Sequence, residues 1–139
     1  MKKIHYLLLF LFSCLYSTAI MGQTEQTYQL STHILDINRG IPAEGVTITL
    51  FKLTGENQSF EKIDSGVTDT NGRIANFLPS GQQNEGIYKL KFETASYFTG
   101  QHLASIYPYI EVIFEIKDSG HYHIPITVTA NGYSTYRGS

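Results

Sequence analysis

Cysteine is almost absent from this chain of 139 residues, and tryptophan is missing altogether. The single cysteine, Cys14, lies in an apolar N-terminal run that we expect to be removed on export. The exported chain would then have no thiol, which excludes a disulfide framework, a thiol nucleophile and a cysteine metal site. A chain of this length has room for one domain and one core, so its stability must come from apolar burial and from subunit contacts.

The chain also lacks a large excess of either charge. Ten Lys and Arg side chains oppose twelve Asp and Glu side chains, for a formal net charge of −2. Removal of residues 1–22 takes away Lys2 and Lys3 and leaves eight basic and twelve acidic side chains, a formal charge of −4. This balance does not favour a nucleic acid or an anionic membrane as a partner, so we expect neither for the mature protein.

The only long apolar run is at the N-terminus. Lys2 and Lys3 give a positive start, residues 7–16 are mostly apolar, and small residues follow up to Gly22. This order is typical of a secretory signal and is too short for a stable membrane span. We therefore predict that residues 1–22 are a signal peptide.

Cleavage after the signal would leave Gln23 as the first residue of a single mature domain, residues 23–139. We expect this domain to cross the inner membrane and to be periplasmic. A competing interpretation makes residues 11–14 a lipobox in which Cys14 is lipidated, although Phe12 is bulky for that motif.

Alternation of apolar and polar side chains predicts strands through most of the mature chain. The alternating runs are residues 30–37, 46–53, 87–94, 109–117 and 121–130. Gly and Asn mark the breaks between them. Seven or eight short strands joined by short turns predict an all-β, two-sheet antiparallel sandwich. Residues 95–104 lack the alternation, and we expect one short helix there.

The C-terminal segment, residues 133–139, is a candidate edge strand that could pair with a second copy of the chain. It also carries a phenol at Tyr136, a guanidinium at Arg137 and a hydroxyl at Ser139. Chain ends usually carry small polar residues without a specific role. We therefore treat this tail as a candidate functional segment.

Three histidines and one arginine are the other candidates for chemistry. His121 and His123 share the strand face opposite to the core, and their spacing suits acid–base chemistry or zinc ligation. His33 lies on the same face as Ser31 in the first mature strand and could supply a third zinc ligand. Arg73 follows an Asn-Gly turn, where an exposed guanidinium is the ordinary interpretation. Each of these signals is weak alone.

Four segments together resemble the signature segments of the 5-hydroxyisourate hydrolases, the transthyretin-related proteins of purine catabolism. They are Leu-Ser-Thr-His-Ile-Leu-Asp at 30–36, Asn-Gly-Arg at 71–73, His-Tyr-His-Ile-Pro at 121–125 and Gly-Tyr-Ser-Thr-Tyr-Arg-Gly-Ser at 132–139. The resemblance covers essentially the whole mature chain in order. Transthyretin itself, a hormone carrier with the same fold, lacks the terminal tetrapeptide and the histidine pattern.

The resemblance implies a transthyretin-like (prealbumin-like) sandwich assembled as a homotetramer, with active sites in a channel between dimers. It implies the hydrolysis of 5-hydroxyisourate at a lactam bond to 2-oxo-4-hydroxy-4-carboxy-5-ureidoimidazoline, a step of urate degradation. No cofactor and no metal are expected. Because the chain has no tryptophan, we also expect Phe60 to fill a core position that is often aromatic in the family's third strand.

The resemblance also assigns residues to roles. The catalytic residues that it implies are His33, Arg73, His123 and Ser139. The substrate-binding residues that it implies are His33, Arg73, Tyr136 and Arg137. Elementary chemistry agrees, because histidine is the natural base near neutral pH and arginine offers a planar fork of donors to ring carbonyls or an oxyanion. Which histidine is the base, and what His121 does, stay open, as do a carrier and a zinc-binding module as alternative functions.

Overall fold

A computed structural model of the protein describes residues 26–56 and 58–138. The predicted signal peptide, the lipobox alternative at Cys14, the predicted N-terminal Gln23 and the tail residue Ser139 lie outside these residues. In chain order the elements are β1 (Tyr28–Asp36), β2 (Ile41–Pro42), β3 (Thr47–Thr54), β4 (Ser59–Val67), β5 (Arg73–Pro79), β6 (Gly86–Phe92), α1 (Thr94–Thr99), β7 (Ile110–Ile116), β8 (Tyr122–His123), β9 (Ile126–Thr129) and β10 (Gly132–Thr135).

The strands form two sheets. One has the order β10-β9-β1-β2, with β5 and β8 also paired to β1, and the other has the order β4-β3-β6-β7. The predicted two-sheet architecture with one short helix is therefore confirmed. Within the described residues the strand pairs are antiparallel except that β1 runs parallel to β8 and β9. The turn after β7 leads into the other sheet, so it does not form the hairpin that would impose antiparallel pairing.

The core lies between the sheets and includes the apolar faces that alternation predicted, together with residues of β5 and α1. Its largest fully buried side chains are Tyr88, Phe77, Phe92, Phe98, Leu30, Ile34, Ile48, Leu50, Leu90, Ile110, Ile116 and Ile126. Burial of one such side chain contributes about 1.5–3 kcal/mol of transfer free energy. On β1 the core-facing residues are Leu30, Thr32 and Ile34, so Ser31 and His33 point to the outer face of their sheet.

Several boundaries differ from the predictions. The helix ends at Thr99, and residues 100–104 are turns or irregular. The run 121–130 is interrupted between β8 and β9 at Pro125, which has no N–H for the ladder. The edge strand β4 shows no alternation because most of its side chains are exposed. Phe60 is half-buried on β4 beneath the Lys89 ammonium, 4.7 Å from its ring centroid, and therefore does not fill a core position.

No helix within the described residues has both the length and the apolar character needed to cross a membrane.

Candidate functional site

Strand pairing brings the predicted histidines and the arginine to one patch on the outer face of the six-stranded sheet. His33 on β1 is the direct partner of Arg73 on β5, and Ser31 is the direct partner of His123 on β8. Directly paired residues project from the same face of a sheet, and so do residues two apart on one strand. Ser31, His33, Arg73 and His123, with His121 two residues before His123, therefore share this face. We call these five residues the histidine cluster.

A continuous series of hydrogen bonds links Ser31 and the three histidines of the cluster. Nδ1 of His33 lies 3.0 Å from Nε2 of His123, and the two rings meet edge to edge, with 5.2 Å between centroids and 12° between their planes. Nδ1 of His123 lies 2.8 Å from Oγ of Ser31, which lies 2.9 Å from Nε2 of His121. Nδ1 of His121 is 3.1 Å from the carbonyl oxygen of Tyr28. Both ring nitrogens of His123 are thus engaged within the protein.

The C-terminal tail covers His123. The Gly138 N–H donates to the His123 carbonyl oxygen at 2.8 Å, and the two residues form a β-bridge. A Cβ atom on Gly138 would lie only 2.5 Å from Cδ2 of His123, so this close approach requires glycine. His123 is 7% exposed, although it lies on the sheet face that does not meet the core. The predicted face is confirmed, and its burial comes from the tail.

A tight turn holds Arg73 opposite His33. Oδ1 of Asp69 accepts from the backbone N–H groups of Asn71 and Arg73, each at 2.8 Å. Gly72 has φ +66°, and a Cβ there would lie 2.7 Å from the carbonyl oxygen of Ile34. The Asn-Gly turn therefore fixes the start of β5 against β1 and with it the position of the guanidinium.

His33 and His123 favour the neutral state. Burial lowers the pKa of His33 from its ordinary value of 6.5, and the Arg73 charge lowers it further. Burial also lowers the pKa of His123, and the charges of His33, Arg73 and His121 act in the same direction. A neutral imidazole is the form that accepts a proton, so these shifts keep both rings available as bases near neutral pH.

Two residues predicted to bind substrate, Tyr136 and Arg137, have side chains that lie away from the histidine cluster. The Arg137 guanidinium is 4.3 Å from the centroid of the Tyr122 ring, and Tyr122 faces away from the cluster because it alternates with His121 and His123. Tyr136 and Arg137 line a cleft of about 340 Å³ together with apolar residues of β7 such as Val112 and Phe114. The structure therefore does not bring these two side chains to His33 and Arg73 of their own chain.

Ser31 had no predicted role, and the structure places it at the centre of the hydrogen-bond series. Its only signal was that it shares a strand face with His33. For the zinc alternative, residues 26–56 and 58–138 contain no group of three or more His, Cys, Asp or Glu side chains arranged to hold a metal ion. His33 and His123 direct ring nitrogens at each other and not at a common point.

Comparison with known proteins agrees with this architecture. A sequence profile of the HIUase/Transthyretin family matches residues 30–138. A probable 5-hydroxyisourate hydrolase of Caenorhabditis elegans is 42% identical over 114 residues, which cover 81% of this chain and 83% of the relative. The chain belongs to the HIUase/Transthyretin family.

Solved structures of both branches of the family resemble the fold. The 5-hydroxyisourate hydrolase of Klebsiella pneumoniae is 41% identical, with a TM-score of 0.68 over 79% of this chain and 98% of that chain. Sea bream transthyretin in complex with thyroxine is 29% identical, with a TM-score of 0.74 over 79% of this chain and 94% of that chain. Backbone similarity alone therefore does not separate the hydrolase from the carrier.

Proposed function

We propose that this protein is a 5-hydroxyisourate hydrolase, a cyclic amide hydrolase of urate degradation. It opens the six-membered ring of 5-hydroxyisourate with water and yields 2-oxo-4-hydroxy-4-carboxy-5-ureidoimidazoline. The observation that carries the proposal is the hydrogen-bonded pair of neutral histidines beside Arg73. The names of the hydrolases that are 41–42% identical to this chain support the same substrate.

The geometry favours His33 as the base. His123 uses both ring nitrogens on Ser31 and His33, whereas His33 is the more exposed ring and uses Nδ1 on His123. In the proposed reaction, His33 takes a proton from water while the water oxygen attacks the lactam carbonyl carbon. The C–N bond then breaks, and the leaving nitrogen takes the second proton of the water from the new carboxyl group, which becomes a carboxylate. A positioned acid–base group contributes about 10²–10⁴ in rate.

Arg73 is the residue proposed to bind the ring and to stabilise the developing oxyanion. A guanidinium presents a planar fork of donors, which matches a small ring with several carbonyl oxygens. Burial lowers the pKa of His33 and His123, and the Arg73 charge acts in the same direction. Tyr136, Arg137 and Ser139 stay predictions from the resemblance, and the proposed chemistry does not depend on them.

We also propose that the active protein is a homotetramer with its sites in a channel between dimers. The edge strands available for subunit contact include β7 in the four-stranded sheet and β10 in the six-stranded sheet. Ile113 on β7 and Tyr133 on β10 are large apolar side chains that are 59% and 43% exposed. Light scattering on the purified protein should give a mass of four chains, and a monomer would contradict the assembly.

The proposed activity is tested by the ultraviolet decay of freshly generated 5-hydroxyisourate. Decay should accelerate in proportion to protein, and His123→Ala should lower the rate about 100-fold or more. His102→Asn is a matched control, because His102 is an exposed histidine outside the cluster whose φ of +61° asparagine tolerates. It should retain full turnover.

A carrier is the second candidate, because sea bream transthyretin with thyroxine has the higher TM-score of the two structures compared. The same assay separates the two functions. Folded protein that leaves the decay at its uncatalysed rate would favour a carrier, whereas accelerated decay that is lost in His123→Ala would exclude one.

For localisation, we infer that residues 1–22 are a signal peptide and that the mature domain, residues 23–139, is periplasmic. The order of positive, apolar and small residues supports export. Mass spectrometry of the protein from a periplasmic extract should show Gln23 as the first residue, and Cys14→Ser should not change processing. A lipid-modified mass that Cys14→Ser abolishes would favour the lipobox instead.

A further inference from the structure

Ser31 and His121 have no part in the proposed reaction, yet they continue the hydrogen-bond series outward from the base. From the inside, the series runs from His33 through His123 and Ser31 to His121 and ends at the Tyr28 carbonyl oxygen. Its inner members are buried or half-buried, whereas His121 is exposed. The series therefore connects the reacting end of the cluster to solvent.

The Tyr28 carbonyl determines where the protons lie in this series. A carbonyl oxygen only accepts, so Nδ1 of His121 must carry a proton. In neutral His121 the other nitrogen, Nε2, is then an acceptor, and the Ser31 hydroxyl must donate to it. Because a hydroxyl has only one proton, Oγ of Ser31 must accept from the third group that it contacts, Nδ1 of His123.

The proton position on His33 follows from that on His123. With its proton on Nδ1, neutral His123 is an acceptor at Nε2, so Nδ1 of His33 must donate to it. All three neutral rings therefore carry their protons on Nδ1. The unprotonated nitrogen of His33 is then Nε2, the nitrogen that points away from the series.

We propose that Ser31, His121 and His123 form a proton relay that takes the proton accepted by His33 to the protein surface. This inference rests on the proposed hydrolase function and adds two positioning residues, Ser31 and His121, to its site. Every donor and acceptor in the series is already oriented for transfer in that direction.

The relay consists of four transfers and no other bond change. Nε2 of His33 takes a proton from water, and Nδ1 of His33 passes its own proton to Nε2 of His123. Nδ1 of His123 passes its proton to Ser31, whose hydroxyl proton moves to Nε2 of His121. At the end His121 is a cation, His33 and His123 are neutral with their protons on Nε2, and the proton of the Ser31 hydroxyl is the one that came from His123.

Burial and charge favour this end state. A cation on His33 or His123 is opposed by burial and by the Arg73 charge on β5. His121 is exposed to water, which solvates a cation, and the preceding turn carries the acidic Asp118. Two basic side chains lie on neighbouring segments. Lys117, just after β7, pairs with Glu115 at 3.1 Å between Nζ and Oε2, and Arg137 of the tail lies over Tyr122 on the opposite sheet face. Transfer to His121 therefore moves positive charge away from Arg73.

The proton positions can be tested without substrate. Long-range ¹H–¹⁵N spectra of the protein labelled with ¹⁵N should show Nδ1–H tautomers for His33, His121 and His123 at a pH where all three are neutral. Ser31→Ala should release His123 from this constraint, whereas His102→Asn should leave the three rings unchanged. A proton on Nε2 of neutral His33 or His123 in the unmodified protein would overturn the relay.

The kinetic test uses His121→Ala and His121→Gln in the 5-hydroxyisourate assay. Both should lower kcat by about 10- to 100-fold with little change in KM, because neither alanine nor glutamine takes up a proton near neutral pH. Added imidazole should restore His121→Ala, whose exposed site admits it, and should not affect His102→Asn. Full activity in both variants, or loss that imidazole does not restore, would overturn the relay. Predicted tautomers in a protein without turnover would instead overturn the hydrolase function, and with it the relay's catalytic role.

Discussion

Arg73 acts on the site through its charge and through its shape. Its charge lowers the pKa of both His33 and His123, and its planar fork is proposed to hold the substrate ring. A lysine at this position would keep the charge and lose the fork, whereas a glutamine would lose the charge. The two substitutions therefore separate the two contributions.

We expect Arg73→Gln to raise the pKa of His33 and His123 and Arg73→Lys to leave both nearly unchanged, as measured by NMR titration of the ring protons. Turnover should fall by about 100-fold or more in both variants, because neither replaces the bidentate donor. If histidine pKa values did not rise in Arg73→Gln, burial alone would account for the lowered values.

Among the elements, the tail contributes to the site by contact of its backbone with a histidine ring. The Gly138 backbone lies against the His123 ring, where no Cβ fits. Gly132, at the start of β10, provides a matched comparison, because a Cβ there would make only an ordinary contact at 3.7 Å with Thr129. Alanine at the two positions adds the same group, with clash only at Gly138.

Gly138→Ala should displace the tail from His123 and reduce turnover by about 10-fold or more, because a misplaced catalytic group loses rate steeply. Gly132→Ala should retain activity. Circular dichroism and the unfolding temperature should be nearly the same for both variants, since the core does not contact this glycine. Full activity of Gly138→Ala would remove the tail contact from the catalytic site.

The turn before β5 permits a similarly controlled comparison. Gly72 and Gly40 have nearly equal φ values, +66° and +67°, but a Cβ on Gly72 would lie 2.7 Å from the carbonyl oxygen of Ile34, whereas a Cβ on Gly40 would meet nothing within 4 Å. Alanine at Gly40 therefore adds backbone strain alone, and alanine at Gly72 adds strain and a clash with backbone.

We expect Gly40→Ala to lower the free energy of unfolding by about 1 kcal/mol and Gly72→Ala by about 3 kcal/mol or more, measured by urea denaturation. Gly72→Ala should also reduce turnover, because Arg73 follows it directly. Equal losses of stability in the two variants would mean that the close approach to Ile34 contributes little.

At the scale of the whole molecule, the sequence predicted the parts of the fold that depend on local pattern. Alternation identified the core faces of β7 and β9, and the spacing of His121 and His123 placed them on the outer face. Alternation did not identify β4, because an edge strand with exposed side chains has no apolar period.

The site residues come together through contacts between segments that are distant in sequence. His33 meets His123 because β1 pairs with β8 in parallel, and local pattern does not determine that register. His123 is buried because the tail returns to it, and Ser31 joins the series only once this register is set. The resemblance to a family could anticipate His33, Arg73 and His123, but it gave Ser31 and His121 no role.

The lowered histidine pKa values also predict how the stability of the whole molecule depends on pH. His33 and His123 have an ordinary pKa of 6.5, which applies to the unfolded chain, and burial lowers it in the folded protein. Below about pH 6.5 the unfolded chain therefore binds more protons than the folded protein, so the free energy of unfolding falls as the pH falls. Above that range neither state binds a proton on these two histidines, so they do not make the free energy of unfolding depend on pH.

Urea denaturation at a series of pH values from about 7.5 to about 5.5 should show this fall in the unmodified protein and in His102→Asn. The double variant His33→Gln, His123→Gln should show a smaller fall over the same range, because it has neither titrating ring. The range stops above the pH at which most carboxylates take up protons, so their contribution stays small. An equal fall in the double variant would assign the pH dependence to other groups and would contradict lowered pKa values at the cluster.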